Sequence, residues 1–195
     1  MKSMLRLALL LALAALSACE KPVSFHSVDV TGIQGYGNDF RLVDHTGKAR
    51  SMADFRGKTV LMFFGFVQCP DVCPTTLSDL KKVMANLGPD ADKFQVLFIT
   101  VDPARDTEQV LSKYVAAFHP SFIALRGDRE ATNKVTRDFK IVAQIQEGQT
   151  PETYTVNHSS NSLVFDPQGR LRLIVAYGMD VEKLTSDIQL LIKGK

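Results

Sequence analysis

Cysteine is scarce in this chain of 195 residues. There are three, at 19, 69 and 73, and tryptophan is absent. So few thiols exclude a small scaffold held by several disulfides. A charge excess is missing as well, with 23 basic against 21 acidic side chains. Lys2 and Arg6 lie in the first eighteen residues, so the rest of the chain is formally neutral and gives no support for nucleic-acid binding. Beyond residue 16 no long apolar run occurs, which excludes a membrane-spanning segment there. Internal repeats and low-complexity tracts are also missing, and the length is that of one domain with a sizeable core.

What is present begins with an export signal. Met1 to Arg6 is basic, residues 7–16 are apolar but too few to cross a bilayer, and Leu16-Ser17-Ala18-Cys19 follows. Small residues before a cysteine look like a bacterial lipoprotein signal, cleaved before Cys19 with lipid added to its sulfur. The expected division is a signal peptide over 1–18, a lipidated Cys19 with a polar tether over 19–37, and a folded domain over 38–195. The expected location is a bacterial cell envelope, on the extracytoplasmic side of a membrane.

The remaining pair, Cys69 and Cys73, closes an apolar run, each followed by proline. Outside the cytoplasm one isolated pair is a disulfide, a redox couple or a metal clamp. A bridge across so short a loop constrains the unfolded chain little, so a purely structural disulfide is a poor use of it. Residues 59–65 read as a strand buried on both faces. Behind the cysteines Leu77, Leu80, Val83, Met84 and Leu87 share one helical face, stopped at Gly88-Pro89. Pro74 suits a first helical turn, placing Cys73 near the N-cap, where free amides favour a thiolate.

Residues 94–101 read as a second buried strand. Asp106 with Gln109 resembles a capping box opening a helix that ends at His119-Pro120, and Asp128 caps another. Residues 141–157 read as an inserted hairpin turning at Glu147-Gly148. Two strands joined by Asp166-Pro167-Gln168-Gly169 and an amphipathic helix close the chain. A hairpin around His45 opens the domain. This is an α/β order expected of a thioredoxin-like fold with an N-terminal hairpin extension and an inserted β-hairpin, in which the reactive cysteines follow the first long strand.

Two soft thiolates favour Cu(I) or Zn(II) and need a third ligand. Of four histidines, His26 falls in the tether, His45 in a surface turn, and His119 at a helix C-terminus. His158 precedes a core strand in the loop that faces the cysteines in thioredoxin-like folds. Asp102 lies beyond the C-terminal end of a central strand, where open α/β sheets place their sites, and is a candidate for supporting the ligands. Arg105 reads as pairing with and helping to cap at Asp106.

Cys69-Pro70-Asp71-Val72-Cys73-Pro74, Val101-Asp102-Pro103-Ala104-Arg105-Asp106-Thr107, and Tyr154-Thr155-Val156-Asn157-His158-Ser159 followed by Asp166-Pro167-Gln168-Gly169 resemble the Sco/SenC family. The resemblance implies a membrane-anchored copper metallochaperone that delivers copper to, or matures, the binuclear copper site of cytochrome c oxidase. It implies Cys69, Cys73 and His158 as copper ligands, for Cu(I) or Cu(II). The implied partner is the oxidase's copper-bearing subunit or another copper or thiol protein. The chain departs from the family at Val67-Gln68, often Thr and a polar residue, and at Asn157, often Asp, which removes a negative charge beside the ligand. The alternative is a thiol-disulfide oxidoreductase that reduces a partner's cysteines, with Cys69 attacking and His158 dispensable. A peroxiredoxin-like peroxidase fits the proline-flanked pair less well.

Overall fold

The computed structural model describes residues 24–148 and 153–195. The expected signal peptide, Cys19 and residues 149–152 of the expected hairpin lie outside those residues. Among the described residues no helix is long and apolar enough to cross a membrane.

The strands are β1 (Val28–Asp29), β2 (Leu42–Asp44), β3 (Ala49–Arg50), β4 (Thr59–Gly65), β5 (Phe94–Thr100), β6 (Ile123–Arg126), β7 (Ala143–Gln146), β8 (Thr155–His158), β9 (Ser162–Phe165) and β10 (Leu171–Val175). The α-helices are α1 (Val72–Leu87), α2 (Glu108–Phe118), α3 (Arg129–Asp138) and α4 (Val181–Ile192). Eight strands form one sheet in the order β1-β10-β9-β4-β5-β6-β2-β3, and β7 pairs with β8 separately. β4, β5 and β6 run parallel, whereas β9 is antiparallel to β4. The opening hairpin, β2 and β3, extends the sheet beyond β6.

Every residue of β4 is buried, because both sheet faces are covered. Its side chains alternate between two cores. Leu61 and Phe63 join the apolar face of α1 and the buried faces of α2 and α4. Val60, Met62 and Phe64 join Phe139, Phe165 and the opening hairpin. The Cys69 side chain packs against both cores, so the cysteine loop sits where the two meet at the C-terminal end of β4.

Three expectations change. The helix behind the cysteines starts at Val72, with Asp71 at its N-cap, so Cys73 lies inside the first turn. Thr107, not Asp106, caps α2, its hydroxyl accepting from the Val110 amide at 3.3 Å. The packed body also begins before the expected boundary at Gly37. Val28 and Asp29 pair with β10, and the buried carboxylate of Asp187 on α4 accepts from the amides of His26 and Ser27 at 2.9 and 2.8 Å. A two-residue exposed strand leaves no hydrophobic pattern to read, which is why the sequence alone reads there as tether.

Candidate metal centre

Residues 66–71 carry the chain from the buried end of β4 to α1. The Cys69 amide donates to the Phe66 carbonyl at 3.2 Å, folding the loop back on itself. The Cys73 amide, one of the free donors at the start of α1, points at Cys69 Sγ at 3.4 Å. Both thiols are free; Cys69 is partly exposed and Cys73 fully buried. Gly65 makes room for the second sulfur. A Cβ there would stand 2.7 Å from Cys73 Sγ and 2.9 Å from the Phe98 ring.

His158 is the last residue of β8, not part of the loop that follows. Its Nδ1 lies 2.9 Å from the Ser159 carbonyl, which can only accept, so Nδ1 carries the proton and Nε2 offers a lone pair. Nε2 points at Cys73 Sγ, 3.7 Å away. Phe66 and Phe63 hold the imidazole in edge-on contacts at 5.8 and 6.4 Å. The two sulfurs and a ring nitrogen all lie within 4.8 Å of one another. Bonds to a soft ion run about 2.3 Å from sulfur and 2.0–2.1 Å from imidazole, which in a trigonal arrangement puts S and N about 3.8 Å apart. The donor set and spacing therefore fit such an ion with little side-chain movement. An open groove of about 370 Å³ beside Cys69 and His158, lined by Phe66, Pro70, Val72 and β8 residues, leaves one side approachable.

Burial dominates the electrostatics of Cys73. Desolvation, reinforced by the Cys69 sulfur, pushes its thiol far above the ordinary range, against the lowering by the Phe66 backbone. Burial thus outweighs the helix N-terminus at this thiol, contrary to the expectation from position alone. A cation that replaced the proton would relieve the same penalty, so any metal taken up by this pair would release protons.

Behind the triad lies a polar cluster that short-range patterns do not reveal. Arg105 forms its close ion pair with Asp102, and acts on Asp106 only as a nearby charge. Its Nε donates to Asp102 at 2.5 Å, and its Nη1 to Gln68 Oε1 at 2.9 Å and to the Tyr154 carbonyl at 2.8 Å. The guanidinium lies 3.6 Å over the Tyr154 ring. The Tyr154 hydroxyl donates to the other oxygen of Asp102 at 2.6 Å. Asp102 is thus buried behind the site and holds Arg105 and Tyr154 rather than touching the ligands. His26 is tied through its backbone to Asp187, His45 accepts from the Ala124 amide, and His119 bonds Ser121; none joins the triad.

Asp106 is turned inward, its Oδ2 accepting from the Val67 amide at 3.1 Å and the Thr100 hydroxyl at 2.6 Å. Burial raises its carboxyl from 3.8 to about 6, outweighing those two bonds. Because the folded state holds this proton more tightly than the unfolded chain, the contribution of Asp106 to stability is greatest below about pH 4 and is lost as pH rises through about 6. The expected span is on the order of 2–3 kcal/mol. Urea unfolding of the apo protein between pH 4 and 7.5 should show this decline, and Asp106→Asn should flatten it.

Residues 28–193 match the family model described as SCO1/SenC. A mitochondrial SCO2 homologue from Bos taurus is 37% identical over 153 residues, which cover 77% of this chain and 58% of that protein. The match therefore spans a little under three fifths of that curated relative. Bradyrhizobium japonicum ScoI, solved with copper bound, superposes with a TM-score of 0.75 at 33% identity, over 80% of this chain and 99% of that one. Apo Sco1 from Thermus thermophilus gives a TM-score of 0.77 at 35% identity, over 86% and 97%. The fold is thioredoxin-like, as in those Sco structures. On its sequence match and its fold, the chain belongs to the SCO1/SenC family.

Proposed function

We propose that Cys69, Cys73 and His158 hold one copper ion as cargo, for delivery to, or maturation of, the binuclear copper site of cytochrome c oxidase. The observation that carries this reading is the meeting of an imidazole nitrogen with two thiols 85 and 89 residues away in the chain, all within 4.8 Å. Two sulfurs suit Cu(I), and the imidazole makes the set acceptable to Cu(II). The open groove admits a partner's sulfur, so the ion passes by ligand exchange. Lipid on Cys19, after removal of residues 1–18, would keep the domain at a membrane on the extracytoplasmic face of a bacterial envelope.

Loss of two electrons and two protons to an oxidised partner dithiol joins Cys69 and Cys73 as a disulfide and removes both sulfur ligands. The same pair thus serves the oxidoreductase alternative, but that chemistry gives His158 no task.

Copper titration tests the proposal. The reduced protein is expected to bind one copper per chain, with a sulfur-to-Cu(II) absorption band in the oxidised metal state. The disulfide form is expected to bind none at that site. Substoichiometric binding by the reduced protein, or equal binding by both forms, would overturn it.

A further inference from the structure

The three donor atoms come from two separate pieces of chain. The cysteines belong to the β4–α1 connection, while His158 ends a two-stranded hairpin outside the main sheet. Between them the imidazole meets Phe63, Phe66 and the Cys73 sulfur, but among the described residues no backbone hydrogen bond joins the two pieces. Arg105 touches both. Its Nη1 donates to the side chain of Gln68, the neighbour of Cys69, and to the carbonyl of Tyr154, the residue before β8, over whose ring the guanidinium also stacks. Its fork is aimed by Asp102, which is 4% exposed and also fixes the Tyr154 hydroxyl.

From Tyr154 to His158 the chain is extended, so the contact at Tyr154 lies about 13 Å along the strand from the imidazole. Val156 is plugged into the core between them. At the far end, the Ser159 amide and hydroxyl bond Val142 on the other arm of the hairpin. A strand held at Tyr154, at Val156 and at Ser159 has its imidazole fixed in direction.

We propose that Arg105, aimed by Asp102, is a positioning residue that latches the histidine-bearing hairpin to the cysteine loop and so sets the separation between His158 and the two sulfurs. The proposal rests on the copper-site reading for its consequence, not for its geometry. Its consequence is selective. Two thiolates alone retain Cu(I), whereas Cu(II) depends on the imidazole.

Arg105→Ala is expected to raise amide hydrogen exchange across residues 155–159 in the apo protein, leaving β4 and β5 unchanged. It is expected to weaken Cu(II) binding about 10- to 100-fold, the usual range for a lost supporting contact, and to leave Cu(I) affinity within about threefold. Arg105→Lys should not rescue, because an ammonium cannot replace the planar fork and its stacking. Tyr154→Phe, which keeps the carbonyl contact and the stack, should give a smaller change in the same direction. Should Arg105→Ala fail to fold, Arg105→Lys and Tyr154→Phe decide the question. Wild-type exchange over residues 155–159, or a uniform rise throughout the protein, would overturn the latch. Exchange confined to the hairpin in a protein that binds no copper would sustain the latch and overturn the copper reading instead.

Discussion

His158→Ala is expected to lower the Cu(II) affinity of the reduced protein by about 100-fold or more. Losing a residue that merely supports a ligand already costs about 10- to 100-fold, and here the ligand itself goes. The structure makes the loss hard to repair. His158 is the histidine in the triad; His45 and His119 bond elsewhere through their rings, and His26 is held away through its backbone. Cu(I) should be retained far better, because both thiols remain and two-coordinate sulfur ligation satisfies a soft ion. The sulfur-to-Cu(II) band should weaken or shift, since the nitrogen that completes the set has gone. The fold should survive, because the imidazole is only partly buried and its backbone pairing with Ala143 does not depend on the ring. Competition titrations with chelators for each oxidation state, alongside thermal unfolding of the apo protein, measure all three. Unchanged Cu(II) affinity would remove His158 from the site and restore the oxidoreductase reading.

Features legible in the sequence were those with local causes. The apolar run of β4, the helical face of α1 and the cap at Asp128, which accepts from the Ala131 amide at 2.8 Å, each follow from neighbours a few positions apart. The two cysteines were equally plain. His158 could be placed opposite them only through the topology of the fold, and it arrives at the end of a paired strand rather than in a free loop. At Asp106 the local pattern offers a capping box, but the Thr100 hydroxyl six residues back and the Val67 amide 39 residues away take the carboxylate inward. Thr107 was then left to cap the helix. The role of Arg105 was hidden for the same reason, its contacts at Gln68 and Tyr154 lying 37 and 49 residues away. Gly65 had a weak local signal: a glycine closing a buried strand often marks the close approach of another group. Here that group is the Cys73 sulfur.

That approach gives the second large effect. Gly65→Ala is expected to destabilise the apo protein by about 1–3 kcal/mol, the usual cost of forcing volume into a packed core. The added methyl would meet Cys73 Sγ at 2.7 Å and the Phe98 ring at 2.9 Å, and neither has free space to retreat into. Cys73 is fixed in the first turn of α1, while Phe98 is fully buried in β5. The backbone of Gly65 is itself held, its carbonyl accepting from the Val101 amide at 2.8 Å. The sulfur must therefore turn, and its distance to His158 Nε2 changes with it. Copper affinity should fall with stability in this variant, whereas an equally destabilising change far from the loop should leave affinity intact. A double-mutant cycle isolates the cause. Combining Gly65→Ala with Cys73→Ala removes the sulfur from the clash, so the pair should show a favourable coupling of about 1 kcal/mol or more. Additive effects in urea unfolding would mean that Phe98, not the sulfur, takes the strain, and that Gly65 serves the sheet rather than the metal centre.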